Sequence, residues 1–309
     1  MINILSTFDL NFLQHAVVMI RSLVENHKED DIQLYIYTDD KERVSAKLDA
    51  EFGQERIHFN FLDFDHTQFP RIRTKFHYGE NYYKILYLRL NVGNILPDLD
   101  RVLLLDTDLV VDGNLKEFYG QELAEDEMFA AVAEVRPSSF DKFGVYPDYR
   151  KAKTNFNGGV MLIDLVKWRA WGASEKCMNH VIKNEQKLAA PSQDTLNPLY
   201  YNNWKICSPK YNLHHFYLQY PFVYEDLPYS KQEVNQAILN PIVIHFSGSM
   251  RPWHYLDLNP YSKKYWSYLK QTTYHQRKRE NKSLKTFFLK PIRKAKALWS
   301  GARFLKVKP

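Results

Sequence analysis

The stretch Arg101–Val102–Leu103–Leu104–Leu105–Asp106–Thr107–Asp108 is the most informative part of this 309-residue chain. Its four consecutive apolar residues predict a strand that is buried on both faces. The two aspartates that follow are spaced i, i+2, which in extended chain places both carboxylates on the same side of the backbone. At ~4 Å two such charges repel by about 1 kcal/mol in water and by roughly 4 kcal/mol at an effective dielectric constant near 20. A divalent cation removes that repulsion and leaves coordination positions for phosphate oxygens, so we predict a metal–diphosphate site at the mouth of an α/β sheet.

Two other interpretations of the Asp-x-Asp segment stay open at this point. The segment is also typical of a simple turn after a strand. A phosphatase of the haloacid-dehalogenase type opens with a hydrophobic strand and Asp-x-Asp as well, and its first aspartate is a nucleophile. That motif has threonine two residues after the second aspartate, where this chain has Val110. Asp106 also lies far from the N-terminus, where the phosphatase fold begins, so the local pattern argues against a phosphatase.

Composition and length set the broad class of protein. Hydrophobic residues make up 45% and charged residues 25% of the chain, which is ordinary for a globular protein. The length suits one large α/β domain with an appendage, or two domains. The two cysteines, Cys177 and Cys207, have no metal-ligand or redox spacing, which predicts a reducing, cytoplasmic location. No apolar stretch reaches the ~18–20 residues of a membrane-spanning helix, and the N-terminus starts as a strand without a signal-peptide pattern.

The opening of the chain predicts a nucleotide-binding half of Rossmann type. Strands at Ile2–Leu5, Ile32–Tyr37 and about 57–62 alternate with helices, the first of which has apolar residues at helical spacing from Leu13 to Val24. Residues 81–92 are predicted to be helical and to lead into the Asp-x-Asp strand. Further buried strands are predicted at Phe129–Ala133, Gly159–Ile163 and Ile242–His245.

The second informative segment runs from Ile242 to Trp253 and reads IVIHFSGSMRPW. It predicts a buried strand that delivers His245 to its end, as the earlier strand delivers the two aspartates. One imidazole and two carboxylates form a suitable ligand set for Mn²⁺. Gly248 allows a ligand to approach the backbone closely, and Arg251 is suited to clamp phosphate oxygens. The alternative is a strand-end histidine with a structural role.

Together these segments resemble glycosyltransferase family 8, the retaining nucleotide-sugar transferases that include bacterial lipopolysaccharide galactosyl- and glucosyltransferases and glycogenin. The resemblance covers roughly residues 1–255 in the family's order. The matching segments are the strand–loop–helix of residues 3–23, Leu88–Arg89–Leu90, the Asp-x-Asp segment, Phe156–Leu165 with Trp168, Gln193–Asn197, and the His245 segment, which is similar to the family's His-x-x-Gly-x-x-Lys-Pro-Trp.

The resemblance implies an α/β fold of GT-A type, with a Rossmann-like nucleotide-binding half and a mixed central sheet. The residues beyond the resemblance predict, by their own pattern, a basic helical C-terminal tail. It implies that Asp9 meets the uracil of the donor and that Asn157 and Gly158 contact the donor sugar. The implied catalytic residues are Gln193, Asp194 and Arg89. The implied donor-binding residues are Thr7, Asp9, Asn11, Phe12, Arg89, Asp106, Thr107, Asp108, Asn157, Gly158, Ser192, Gln193, His245, Gly248 and Arg251.

The resemblance also implies a UDP-sugar donor, Mn²⁺ (or Mg²⁺) held by Asp106, Asp108 and His245, and transfer with retention of the anomeric configuration. A double displacement needs a carboxylate nucleophile below the anomeric carbon, whereas the nearest motif residue here is Gln193, an amide. We therefore favour same-face attack, in which the acceptor hydroxyl enters beside the departing diphosphate and gives its proton to a diphosphate oxygen. In this mechanism Gln193 stabilises the developing oxocarbenium, and Asp194 is as well suited to orienting its neighbours. The alternative for the Asn157 and Gln193 segments is buried polar packing.

Two departures from the family pattern bear on specificity. Ser192 stands where the family has the first aspartate of Asp-Gln-Asp, a residue used near the donor sugar and the acceptor. The absence of that aspartate puts the usual hexose specificity, and at worst the activity, in doubt. Arg251 replaces the usual lysine but keeps the positive charge beside the leaving diphosphate.

The C-terminal part of the chain differs in charge from the rest. Residues 263–309 contain 15 Lys or Arg and one acidic residue, a net charge of +14, whereas the other 262 residues carry −8. Apolar residues from Leu284 to Ala302 recur at steps of three and four with basic residues between them, and Pro291 is expected to kink that helix or to start its second part. We predict that residues 275–309 form a basic amphipathic helix on an anionic membrane surface. A solvated tail that docks one apolar stripe on the body is the alternative, and nucleic acid is disfavoured by the acidic body.

These observations predict two regions, a GT-A glycosyltransferase domain at 1–255 and a basic amphipathic tail at 256–309. The predicted function is transfer of a hexose from UDP-galactose or UDP-glucose to a glycan, glycolipid or glycoprotein acceptor in cell-surface polysaccharide synthesis. The predicted location is the inner face of the cell membrane, to which the protein binds peripherally. The alternative function is a catalytically weak protein that binds nucleotide sugars or glycans on the same fold.

Overall fold

The computed structural model describes residues 1–67, 69–72, 80–134, 154–219, 227–248 and 251–299. The strands are β1 (Ile2–Thr7), β2 (Ile32–Tyr37), β3 (Ile57–Phe61), β4 (Arg101–Leu105), β5 (Leu109–Val111), β6 (Phe129–Glu134), β7 (Asn155–Asp164), β8 (Trp204–Cys207) and β9 (Val243–His245). The helices are α1 (Leu13–Glu25), α2 (Lys41–Phe52), α3 (Glu80–Leu90), α4 (Val92–Ile95), α5 (Lys116–Tyr119), α6 (Leu165–Ala170), α7 (Ala173–Asn184), α8 (Pro191–Leu199), α9 (His215–Gln219), α10 (Lys231–Leu239), α11 (Ser262–Leu269) and α12 (Leu284–Trp299).

Seven strands form one mixed sheet in the order β3-β2-β1-β4-β7-β6-β8. The first four strands in this order run parallel, and β7 lies antiparallel to both β4 and β6. The parallel part is the predicted nucleotide-binding half, and its strand order reverses between β1 and β4. Ligands bind at the carboxyl ends of the strands at such a reversal, so the sheet topology places the end of β4 at a potential binding cleft.

Burial in the core follows the sequence pattern closely. The apolar residues Val102–Leu105 of β4 are buried, as predicted for a strand covered on both faces. In α1 all the apolar residues predicted to face the core, from Leu13 to Val24, are buried as well. The turn before α1 is capped by Asp9, whose Oδ1 accepts a hydrogen bond from the backbone N–H of Phe12 at 3.2 Å.

A separate two-stranded sheet carries the predicted histidine. Its strands, β5 and β9, are antiparallel and pair Leu109 with His245. β5 begins one residue after Asp108, and residues 106–108 bend between β4 and β5 instead of continuing as a strand. The bend and the second sheet were not apparent in the sequence, because three-residue strands produce no periodic pattern.

Several predicted elements have different bounds in the structure, and for two of them the cause is visible. The helix predicted at 81–92 ends at Leu90, because the Asn91 side chain donates a hydrogen bond back to the carbonyl of Tyr87 at 2.9 Å and a short new helix then begins. The strand predicted at Gly159–Ile163 extends from Asn155 to Asp164, since its polar first residues pair with β6 across a register shift. Both differences arise from polar side chains that bond locally to the backbone or across the sheet.

After residue 255 the chain packs on the body through α11, and α12 then contacts the body through Lys290. Buried Tyr265 of α11 bonds through its hydroxyl to Gln14 at 3.0 Å and to His15 at 2.7 Å. The backbone of Glu280 bonds to Trp253 and Tyr255, after which α12 runs through Pro291 without interruption. The division of the chain at residue 255 stays a prediction. The helix predicted at 275–309 is present from Leu284 to Trp299, whereas residues 275–283 are not helical, and residues 300–309 lie outside the described residues.

None of the helices within the described ranges is both long enough and apolar enough to cross a bilayer.

Candidate active site

A cleft of about 840 Å³ opens at the reversal of strand order. Thr7 at the end of β1 and Asp106 just after β4 lie on its floor because those two strands are neighbours and parallel. Residues from distant parts of the chain meet there. The predicted site residues that line the cleft are Thr7, Asp9, Asn11, Phe12, Arg89, Asp106, Thr107, Asp108, Asn157, Gly158, Ser192, Gln193, His245, Gly248 and Arg251.

Asp106, Asp108 and His245 form a compact cluster of potential metal ligands. One ligand atom from each residue lies within 4.8 Å of the other two. His245 Nε2 lies 3.1 Å from Asp108 Oδ1 and 3.8 Å from Asp106 Oδ2. The predicted convergence of the two carboxylates with the imidazole is therefore confirmed, although it is produced by the bend after β4.

Backbone hydrogen bonds hold this cluster in place. The N–H of Asp106 donates to the carbonyl of Gly159 at 2.8 Å, and the N–H of Phe246 donates to the carbonyl of Asp108 at 2.8 Å. The pairing of Leu109 with His245 then fixes the imidazole opposite the bend. Each ligand residue is therefore held at a point where two strands meet.

The electrostatics of the cluster favour a cation. Burial lowers the pKa of His245, but attraction to Asp108 and Asp106 outweighs burial and raises that pKa above its ordinary value. Burial raises the pKa of Asp108, but the opposing effects of His245 and Arg251 are larger and lower it to about 2. The two carboxylates thus stabilise positive charge on the buried imidazole. A divalent cation between these residues would be stabilised in the same way, and carboxylate oxygens and imidazole nitrogens are common ligands of divalent metal ions.

Gly159 is required by the geometry of this cluster. A Cβ atom at residue 159 would lie 2.3 Å from His245 Cε1 and 2.8 Å from Asp106 Oδ2. Any side chain there would displace two of the three ligand residues. At the adjacent Gly158 a Cβ atom would be 3.6 Å from its nearest neighbour, Gln193 Oε1, which is an ordinary contact.

Arg89 joins the ends of the two parallel strands. Its Nε donates to Thr7 Oγ1 at 3.1 Å, and its terminal nitrogen forms an ion pair with Asp106 Oδ1. The guanidinium thus holds one oxygen of Asp106, while the other oxygen faces His245. These contacts are those expected of a residue that orients Asp106; the catalytic role implied for Arg89 stays a prediction.

The start of α8 carries Ser192 and Gln193 to the wall of the cleft. Gln193 Oε1 accepts a hydrogen bond from the N–H of Gly158 at 2.8 Å, which fixes the side chain beside β7. Asp194 does not line the cleft; its Oδ2 accepts hydrogen bonds from the N–H groups of Ala189 and Ala190 at 2.6 and 2.7 Å. Asp194 therefore secures the helix start on which Gln193 sits.

An aromatic stack supports Arg251, which also lines the cleft. The Trp253 ring stacks on His15 with ring centroids 3.8 Å apart, and the guanidinium carbon of Arg251 lies 5.8 Å from the Trp253 centroid. Burial lowers the pKa of His15 to about 4, so this ring is neutral and adds no competing charge. The buried Nε of Arg251 has no hydrogen-bond partner among the described residues, which leaves a donor for an anion.

The sequence did not single out several residues that shape the site. Asn212, whose Oδ1 lies 2.9 Å from His245 Nδ1, belongs to no motif and is brought in by tertiary structure. Gly159 lies in the Phe156–Leu165 segment, directly after Gly158. The only indication of its importance in the sequence was that two glycines stand next to each other there. His15 was predicted only as part of the first helix, and Trp253 only as part of the His245 segment; their stacking could not be predicted from the sequence.

The sheet and the cleft define a structural class, the GT-A fold. The structure superposes on the galactosyltransferase LgtC, solved in complex with donor and acceptor sugar analogs, with a TM-score of 0.71 and 20% identity over 88% of this chain and 96% of LgtC. It superposes on the glycosyltransferase GlyE of Streptococcus pneumoniae TIGR4 with a TM-score of 0.62 and 18% identity over 87% of this chain and 61% of GlyE. At these identities the similarity shows the fold.

The sequence model of glycosyl transferase family 8 matches residues 3–257, and the chain belongs to this family. General stress protein A of Bacillus subtilis (strain 168) is 25% identical over 283 residues, which cover 88% of this chain and 94% of that protein. A lipopolysaccharide 1,2-glucosyltransferase of Escherichia coli (strain K12) is 27% identical over 271 residues, 85% of this chain and 76% of that protein. Family membership decides for a glycosyltransferase over the phosphatase that the Asp-x-Asp segment had left open.

Proposed function

We propose that this glycosyltransferase moves a hexose from UDP-galactose or UDP-glucose to a hydroxyl of a cell-surface glycan, glycolipid or glycoprotein, with retention of configuration. The observation that carries the proposal is the meeting, in one cleft, of the Asp106–Asp108–His245 cluster and a donor of Arg251 that has no partner among the described residues. A diphosphate needs both a cation and fixed positive charge along its length. Asp9, in the loop after the first strand, lines the same cleft, and the family resemblance implies that this residue meets the uracil.

The cluster fits Mn²⁺, and Mg²⁺ less well, because one ligand is an imidazole. Asp106, Asp108 and His245 would hold the ion, with Gly159 leaving the space that the ligand atoms need. When bound, the ion would act as a Lewis acid on the diphosphate and stabilise the charge that develops as UDP leaves. Arg251, which lines the same cleft, would neutralise the same diphosphate.

Retention is best explained here by same-face attack. Among the described residues that line the cleft, the carboxylates are those of Asp9, Asp106 and Asp108. Asp9 caps the turn before α1 and the other two belong to the ligand cluster, so none is placed as a nucleophile for a double displacement. The bond between the anomeric carbon and the diphosphate oxygen breaks as the bond to the acceptor oxygen forms, and the acceptor proton passes to the diphosphate oxygen. Gln193, fixed by Gly158, would face the developing oxocarbenium.

The acceptor is proposed from the relatives and from the tail. Lipopolysaccharide glucosyl- and galactosyltransferases are among the relatives, which supports a role in cell-surface polysaccharide synthesis. In α12, Leu284, Phe288 and Ile292 expose 81%, 66% and 62% of their surface amid basic residues. Such a helix suits the anionic inner face of the cell membrane, where lipid-linked acceptors are assembled. The membrane contact would then bring the cleft to its acceptor.

A binding protein without transferase activity is the second candidate function, and Ser192 favours it. This residue lines the cleft at the start of α8, where the family pattern has an aspartate. Loss of that carboxylate would leave donor binding intact while weakening turnover.

The test is release of UDP from UDP-glucose, UDP-galactose and UDP-N-acetylglucosamine by the full-length protein, with Mn²⁺ and with a chelator. We expect Mn²⁺-dependent release with one hexose preferred, and an α-linked product by NMR once an acceptor is found. Asp63→Ala, which alters a surface aspartate, is the matched control for Asp106→Ala. Tight Mn²⁺-dependent binding of all three donors without UDP release would instead support the binding protein.

A further inference from the structure

A line of buried side chains connects His245 to a carboxylate at the end of β6. His245 Nδ1 lies 2.9 Å from Asn212 Oδ1, and Asn212 Nδ2 donates to Asn157 Oδ1 at 2.9 Å. Asn157 Nδ2 in turn donates to Glu134 Oε2 at 3.0 Å. Glu134 lies in β6, Asn157 in β7 and His245 in β9, whereas Asn212 lies between β8 and α9. All four residues are buried.

The chemistry of these groups gives the line a direction. A carboxylate accepts hydrogen bonds, so the amide NH₂ of Asn157 must face Glu134 and its carbonyl oxygen must face Asn212. The N–H of Gly159 also donates to Asn157 Oδ1 at 3.0 Å, which supports the same orientation. The NH₂ of Asn212 then points to Asn157, and its oxygen is left for His245.

The orientation of Asn212 decides which nitrogen of His245 carries the proton. Because Asn212 presents an oxygen, the proton of the neutral imidazole is held on Nδ1. The lone pair is then on Nε2, the nitrogen that faces Asp108 at 3.1 Å and Asp106 at 3.8 Å. This is the tautomer that a metal ion between these residues requires.

We propose that Asn212 and Glu134 are positioning residues for His245, which act through Asn157 to present Nε2 to the metal. The inference rests on the metal site of the proposed function and adds to it two residues that no motif contains. It also gives Asn157 a function apart from the donor-sugar contact predicted for it. Gly159 links the two sides of the cluster, since its N–H bonds to Asn157 and its carbonyl accepts from Asp106.

The test measures Mn²⁺ binding by the full-length protein from the electron paramagnetic resonance signal of free Mn²⁺. Asn212→Leu and Glu134→Leu keep the approximate volume and remove the hydrogen bonds, whereas Glu134→Gln keeps an acceptor oxygen for Asn157. Loss of the partners that orient a ligating histidine typically costs about 10–100-fold in metal affinity. We expect losses of Mn²⁺ affinity in that range for the two leucine variants. For Glu134→Gln we expect an Mn²⁺ affinity within about threefold of wild type, a loss smaller than the lower limit of that range.

Asn197→Leu is the control for general damage. Asn197 is also a buried asparagine beside β7, and it bonds only to the backbone N–H and carbonyl of Phe156 in the contacts that the structure describes. Melting temperatures in the presence of chelator show how much each variant loses in stability without metal. We expect Asn197→Leu to lower the melting temperature while leaving Mn²⁺ affinity near that of wild type.

Several results would overturn the inference. Unchanged Mn²⁺ affinity in Asn212→Leu would do so, as would an equal loss in Asn197→Leu. If Asn212→Leu does not fold, the two Glu134 variants decide the question. Equal losses of Mn²⁺ affinity in Glu134→Leu and Glu134→Gln would overturn the inference, because they would show that the charge of Glu134 matters and not its acceptor oxygen. Failure of the proposed metal site is recognised separately, because the wild-type protein would then not bind Mn²⁺ at all.

Discussion

The cleft and the C-terminal helix α12 belong to the same chain but are held in opposite ways. In the cleft, Asp106, Asp108 and His245 are each fixed by strand pairing or by backbone hydrogen bonds to a second element. In α12, Lys290 bonds to the carbonyl of Tyr255 at 2.7 Å and lies over the Tyr255 ring. The exposed apolar residues of this helix are Leu284, Phe287, Phe288, Leu289 and Ile292.

The difference fits the function that is proposed for each region. Metal and diphosphate chemistry depends on the positions of a few atoms, so the residues that provide them lie where strands meet. Adsorption to a membrane depends on total charge and apolar area and tolerates rotation of the helix. Single substitutions should therefore be severe in the cleft and graded in α12.

The largest effect is expected from removal of a metal ligand. Asp106→Ala, Asp108→Ala and His245→Ala should each abolish Mn²⁺-dependent binding of UDP, since each removes one of three convergent ligands. Calorimetry with UDP in the presence of Mn²⁺ measures this, and circular dichroism checks that the fold is intact. Near wild-type UDP affinity in all three variants would falsify the metal site.

The next effect separates two adjacent glycines. Gly159→Ala places a methyl group 2.3 Å from His245 and should weaken Mn²⁺ binding by at least about 10-fold, the lower range for disturbed ligand orientation. Gly158→Ala is the matched control, because the same methyl group there meets Gln193 at 3.6 Å. Its Mn²⁺ affinity should stay near that of wild type, measured by the same titration. Similar losses in both variants would show that backbone flexibility matters at this pair and not the space beside His245.

This contrast also shows where sequence reasoning stopped. The strand ends at Asp106 and His245 were predictable because buried apolar runs stop at polar residues. The steric role of Gly159 was not, since it depends on the Gly159 carbonyl pairing with Asp106 across β4 and β7. Asn212 was out of reach for the same reason, because nothing in its own segment marks a residue that tertiary packing places beside His245.

Substitutions in α12 should reduce membrane binding without affecting the cleft. Phe287 and Phe288 are 55% and 66% exposed, and burial of a phenylalanine in an apolar phase is worth about 1.5–3 kcal/mol. Replacing both with serine should lower binding to anionic liposomes by at least about 10-fold, since 1.4 kcal/mol corresponds to a factor of ten. Flotation assays measure this, and added salt should weaken wild-type binding because it screens exposed charges.

The control for α12 lies on the body of the protein. Leu239 at the end of α10 is 62% exposed, so Leu239→Ser removes a comparable apolar side chain from a surface without the basic segment. Substitution is preferable to deletion from residue 275, because the backbone of Glu280 bonds to Trp253 and Tyr255 near Arg251. Liposome binding that survives in the serine variant would favour a tail docked on the body, and turnover on a soluble acceptor should be unchanged in either case.

The smallest effect is expected at Ser192, where the change is in preference and not in the assembly of the site. Ser192 lines the cleft next to Gln193, and Ser192→Asp would restore the carboxylate of the family pattern. A hydroxyl both donates and accepts hydrogen bonds, whereas a carboxylate accepts only, so the two side chains favour different sugar hydroxyls. One such hydrogen bond is worth about 0.5–1.5 kcal/mol, which corresponds to a change of roughly 2–10-fold in the ratio of rates among UDP-glucose, UDP-galactose and UDP-N-acetylglucosamine.

Ser192→Asn is the matched variant for this last prediction, because an amide has nearly the shape of the carboxylate without its charge. Steady-state UDP release with each donor gives the ratios, and Mn²⁺ affinity should be the same in wild type and both variants since residue 192 is not in the ligand cluster. A shift shared by Asp and Asn would be due to side-chain length, and a shift in Asp alone would be due to charge. Unchanged ratios in both would mean that Ser192 does not face the donor sugar, and the specificity of this chain would then have to come from Asn157, Gly158 and Gln193.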